Sequence, residues 1–160
     1  MNIYKKPKRY TQKEALLKIR RYCAYQERCS FEVRNKLYEY GLNKDTVEQI
    51  IITLIADNFI DEERFARVYA GGKFRMKKWG RRKIEAALLQ KEIPRQCIEM
   101  ALKEIDEKEY IATLQSLANK KINSYRKGDA TLTKKKVTSY LLNKGYEYEY
   151  VEQVLKGMEL

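Results

Sequence analysis

Leu37, Leu88 and Leu141 each stand inside the same frame of apolar residues. Four positions before them come Val33, Ile84 and Val137, and five after them come Leu42, Ile93 and Tyr146. Ten after come Val47, Ile98 and Val151, and thirteen and fourteen after come Ile50-Ile51, Ala101-Leu102 and Val154-Leu155. The reference leucines are 51 and 53 residues apart. A frame kept through three copies leaves few folds open. Each copy must be one supersecondary unit that buries its apolar face partly against its neighbour.

The spacings suit helices. Apolar positions four before and ten, thirteen and fourteen after the leucine predict two amphipathic helices joined by a short turn. Gly41 and Gly145 stand where the first of these should end in a left-handed cap; Glu92 takes that place in the middle copy, with Pro94 at the first position of the next helix. Ser30 and Thr133 are the expected N-caps of the first helix of the pair, and Asp45-Thr46-Val47-Glu48 the capping box of the second. A longer helix precedes each pair. Thr11-Gln12-Lys13-Glu14 opens one that runs to about Glu27, Asp61 caps one from Glu62 to about Lys78, and Asp106 or Glu107 opens one to about Arg126. Seven Gly and two Pro among 160 residues also speak against a turn-rich β fold. The expectation is an all-α protein of three tandem three-helix repeats in an elongated, curved array. Its segments are a basic tail (1–10) and repeats at 11–57, 58–105 and 106–160.

The formal charge is +12, from 34 Lys+Arg against 22 Asp+Glu. It is uneven: +4 in residues 1–10, +1 in 11–57, +5 in 58–105 and +2 in 106–160. Lys73, Arg75, Lys77, Lys78, Arg81, Arg82 and Lys83 lie among Phe74, Met76, Trp79 and Gly80 with no acid between them. Lys134, Lys135 and Lys136 form a second cluster, with Lys120, Lys121, Arg126 and Lys127 near in sequence. Both fall at the junction between a long helix and the next short one, so stacking in register would bring them to one edge. Such an edge suits phosphates or an acidic protein surface, with Trp79 either stacking on a base or anchoring between helices. Lys5–Arg9 adds a basic tail.

Catalytic and metal chemistries find little here. There is no histidine, hence no Ser-His-Asp triad and no His-ligated metal. No phosphate-binding loop or nucleophile elbow occurs. Asp61-Glu62-Glu63 is the only tight acidic cluster, and its place at a helix start favours capping and the helix dipole over metal ligation. Cys23, Cys29 and Cys97 make an odd set without a CxxC, which reads as free thiols in a reducing compartment. The first residues lack the apolar run of a signal peptide, and no segment approaches the roughly 18 apolar residues of a membrane span. The expectation is a cytoplasmic, monomeric binding protein without cofactor or metal.

Cys29-Ser30-Phe31-Glu32-Val33-Arg34-Asn35-Lys36-Leu37, then Gly41-Leu42, then Asn58-Phe59-Ile60-Asp61-Glu62-Glu63-Arg64-Phe65-Ala66-Arg67-Val68-Tyr69 resemble the RecX family of bacterial regulatory proteins. The likeness continues through Gly80-Arg81-Arg82-Lys83-Ile84 to Leu88 and Ile93, and more loosely through the third copy. It departs at Glu62, where the family often has aspartate, and at Glu92, where it usually has glycine. The resemblance implies a modulator of the RecA recombinase that lodges in the groove of the RecA–DNA filament and inhibits ATP hydrolysis and strand exchange. It supplies no catalytic motif. Two other readings stand beside it: a direct DNA-binding module, since three-helix units can place a helix in the major groove, and a metal-dependent enzyme.

Overall fold

The structure is a computed structural model and describes residues 9–125 and 128–158. Among them are nine helices and no strand. They are α1 Gln12–Tyr25, α2 Ser30–Glu39, α3 Lys44–Ala56, α4 Glu62–Lys77, α5 Arg81–Gln90, α6 Arg95–Lys103, α7 Glu107–Asn123, α8 Ala130–Asn143 and α9 Tyr148–Gly157. The chain is a tandem array of three-helix repeats. Residues 1–8, which hold most of the expected basic tail, and Arg126 and Lys127 lie outside the described residues.

Local chemistry sets the helix ends, in some places one residue or one turn from the sequence expectation. Thr11, Asp61 and Asp106 cap α1, α4 and α7, each side-chain oxygen accepting from the backbone N–H three residues on. Ser30 is not a cap. Cys29 takes that position, its N–H bonded to the Glu32 carboxylate, and Ser30 is the first helical residue. Asn43, rather than Asp45, caps α3 by accepting from the Thr46 N–H at 2.9 Å. Pro94 is the N-cap of α6 and not its first residue. Thr133 is buried one turn inside α8, which begins at Ala130 behind the cap Asp129. The three left-handed turns fall in register, with φ of +84° at Gly41, +57° at Glu92 and +100° at Gly145.

The apolar frame becomes two cores. Ile19, Val33, Leu37, Val47, Ile50 and Leu54 of the first repeat pack together with Ile60 from the start of the second. The second core is continuous across the other two repeats, joining Phe74, Ile84, Leu88 and Ile98 to Tyr110, Leu114, Leu141, Tyr146 and Leu155. Cys29 is the one core residue of the first repeat that belongs to the second core, with Phe31 packed beside it. Among the described residues every extensive helix–helix contact lies within one repeat, so the repeats are strung along the chain rather than clustered on one another.

Each seam between repeats reuses one position. Ser30 and Arg81 are the first residues of α2 and α5, and Glu62 and Glu107 the first of α4 and α7. Glu62 accepts from the Ser30 N–H at 2.7 Å and its hydroxyl at 3.0 Å, and Glu107 accepts from the Arg81 guanidinium at 2.7 Å. The opening carboxylate of one repeat thus reaches back to the second helix of the repeat before it.

Candidate functional site

Most of the residues in the two basic clusters have no carboxylate counter-ion, whereas six arginines elsewhere in the fold do. Arg20, Arg28, Arg34, Arg64, Arg67 and Arg95 each lie within 4.0 Å of a carboxylate. Among the described residues, Lys73, Arg75, Lys77, Lys78, Arg82, Lys83, Lys134, Lys135 and Lys136 have no such partner. Arg75, Lys77, Lys78, Arg82 and Lys134 to Lys136 are exposed, while Lys73 and Lys83 are half-buried. Unpaired cations held close together repel one another, and an anion relieves that repulsion.

Arg81 stands apart. Its side chain is only 19% exposed and lies across the seam with the third repeat, 2.7 Å from Glu107 and 3.2 Å from Glu147. Its guanidinium carbon is 3.9 Å from the centroid of the Tyr110 ring, a cation–π contact that also removes it from water. The Tyr110 hydroxyl donates to Glu147 and accepts from the Arg81 N–H, and the Tyr150 hydroxyl donates to Glu107. Burial works against the Arg81 charge, but the Glu107 and Glu147 carboxylates and Tyr110 overcome it and hold the guanidinium above its ordinary value. The Tyr150 hydrogen bond and Arg81 together hold the Glu107 carboxyl below its ordinary value. Burial and the bond to Glu147 push the Tyr110 phenol far up. This group holds the two repeats together.

Backbone contacts tighten the same seam. The Gly80 N–H donates to the Lys144 carbonyl at 2.8 Å, and the Arg82 N–H donates to the Gly145 carbonyl at 2.9 Å. The Lys144 ammonium donates to the Lys77 carbonyl at 3.1 Å, and the Tyr146 hydroxyl to the Lys78 carbonyl at 2.8 Å. Lys78 itself is left-handed, at φ +58°. Trp79 is half-buried against the second core, with the ammonium groups of Lys73 and Lys83 at 4.9 and 4.6 Å from its ring centroid. Its ring is a packed anchor with a cationic rim.

The Lys134–Lys136 cluster occupies the middle of α8, whose far end makes these contacts. Lys136 is eight residues before Lys144, or about 12 Å along the axis. Its ammonium, like that of Lys121, lies over the Tyr125 ring. Sequence reasoning missed Lys144, which stands alone in the sequence beside Gly145. The signal available was the register, because Gly145 marks the turn that meets the preceding repeat. It also missed Glu107, Tyr110 and Glu147 as partners of Arg81.

Among the described residues no group of three His, Cys, Asp or Glu converges as a metal site. Asp61, Glu62 and Glu63 separate into a cap, a bond to Ser30 and a pair with Arg67. No helix there is long and apolar enough to cross a membrane.

Comparison with known proteins decides the family. Residues 61–102 match the family model for RecX, second three-helix domain, and residues 107–155 match that for RecX, third three-helix domain. The chain belongs to the RecX family. A regulatory protein RecX from Prosthecochloris aestuarii is 31% identical over 143 residues, spanning 89% of this chain and 92% of the relative. One from Clostridium acetobutylicum is 34% identical over 129 residues, 78% of this chain and 59% of the relative. The chain thus spans about three-fifths of the Clostridium RecX relatives it matches. The crystal structure of RecX from Lactobacillus salivarius superposes with a TM-score of 0.83 at 24% identity, covering 92% of this chain and 96% of that one. That likeness shows the fold, and the matched RecX domains coincide with α4–α6 and α7–α9.

Proposed function

We propose that this chain is a regulator of a RecA recombinase. It binds RecA and the RecA–DNA filament, lies in the filament groove, and inhibits ATP hydrolysis and strand exchange by binding alone. The observation that carries this reading is the set of nine cations without counter-ions on a strung-out helical body. Relatives named regulatory protein RecX support it. A long basic body suits a polymeric anion, because each phosphate neutralised releases a counter-ion. The protein works in the cytoplasm as a monomer with no cofactor, and DNA contact is part of the binding.

The test compares binding to bare single-stranded DNA, bare duplex and preformed RecA filaments at rising salt, with filament ATPase measured alongside. A preference for filaments that survives salt, with falling ATPase, is expected. Equal and steeply salt-dependent binding to all three favours a plain DNA-binding module.

A further inference from the structure

Seven basic residues between Lys73 and Lys83 look alike in sequence, but the structure gives one of them a different task. We propose that Arg81 is a positioning residue, which clamps the third repeat so that Lys144 joins Lys77, Arg82 and Lys83 in one phosphodiester-binding surface across the seam. The proposal takes from the proposed function only the polyanion, not the recombinase.

Arg81 is turned inward onto Glu107 and Glu147 and covered by Tyr110. Its charge is spent inside the protein. What the clamp holds in place is the 144–147 turn. A methyl group on Gly145 would lie 2.4 Å from Lys83 Cβ, and one on Gly80 2.3 Å from the Gly145 carbonyl carbon. At so close an approach Lys144 reaches the Lys77 carbonyl with its ammonium, and Lys83 and Lys73 flank Trp79. Cations from two repeats become neighbours only while the seam is closed. Like charges brought together in this way need a standing attraction elsewhere, and the buried Arg81 group supplies it. An extended phosphodiester strand fits the result, because it offers successive anions to cations spread along a seam.

The test uses opposed signs. Trp79 is the only tryptophan, so its fluorescence reports binding of an oligothymidylate at the seam. Glu107→Gln combined with Glu147→Gln adds two units of positive charge. Charge counting then gives tighter binding, whereas loss of the clamp gives weaker binding by about 2- to 30-fold, with helicity by circular dichroism retained. Lys144→Ala lowers the slope of log affinity against log salt by about 0.7. The paired glutamine variant lowers it equally, and combining all three changes adds nothing further. Tighter binding by the glutamine variant, or additive losses of slope, overturns the proposal. So does a wild-type protein that ignores the oligonucleotide, even if it binds RecA filaments. Normal oligonucleotide behaviour without filament binding overturns only the recombinase reading.

Discussion

Single residues carry the clearest record of the repeat. The left-handed turn recurs at Gly41, Glu92 and Gly145, and only the middle one bears a side chain. An L-residue held there is strained by about 1 kcal/mol relative to glycine. Glu92→Gly is therefore expected to stabilise the protein by about 0.5–1 kcal/mol, less what the freer unfolded chain takes back. A thermal melt should rise by about 2 °C; a fall would show that the attraction of the Glu92 charge for Arg34 matters more than the strain. The cysteines answer a second question at this scale. Burial pushes the Cys29 thiol up to about 12 and Cys23 to about 11, and the two are 0% and 8% exposed. Thiolate is the nucleophile, so both should resist iodoacetamide at neutral pH until the protein unfolds. Cys97 is only half-buried and should label first. Mass spectrometry of a labelling time course reads the order, and early labelling of Cys29 would contradict the packing.

At the scale of elements, periodicity located the helices well because it reports burial directly. Leu37, Leu88 and Leu141 are all fully buried, and each stands in the second helix of its repeat. Helix starts were less legible, since several capping residues stand near each one. Asn43 and Asp45, or Cys29 and Ser30, differ by a turn geometry that spacing does not encode. Arg81 was less legible still: its charged sequence neighbours are all basic, and its partners are 26 and 66 residues away. No local signal distinguishes an inward arginine from an outward one. The α4–α5 junction gives a matched pair of changes. Gly80→Ala drives a methyl into the Gly145 backbone and should cost about 1–3 kcal/mol. Gly72→Ala meets nothing within 4 Å in mid-helix and should gain about 1 kcal/mol. Denaturant midpoints of the two variants should move in opposite directions. Acid probes the same seam through α7. Glu107 is held below its usual 4.5 in the folded protein, so its ion pair stabilises fully above that value and is lost as pH falls through the lower folded value. Stability should decline below pH about 4.5, less steeply in the Glu107→Gln variant.

For the whole molecule, the sequence divides the chain into three similar units, but the structure joins them unequally. The second and third repeats share one core through Tyr110 and Tyr146, whereas the first has a separate core that takes only Phe59 and Ile60 from the second. Between the first and second repeats several links are polar: Ser30 to Glu62, Arg64 to Glu27 at 2.7 Å, and Lys91 to Glu32 at 3.9 Å. Apolar contact crosses only where Cys29 and Phe31 meet the second core and where Phe59 and Ile60 meet the first. Pairs that are partly open to water contribute little each and weaken in salt. A seam of that kind holds far less free energy than a shared core, so the first repeat should open without the rest. Native-state hydrogen exchange is expected to resolve two cooperative blocks. Amides of α1–α3 should exchange together at the lower free energy, and those of α4–α9 together at the higher. Raising salt should speed opening of the first block and leave the second nearly unchanged. A single set of opening energies from α1 to α9 would mean that Cys29, Phe31, Phe59 and Ile60 suffice to weld all three repeats into one body.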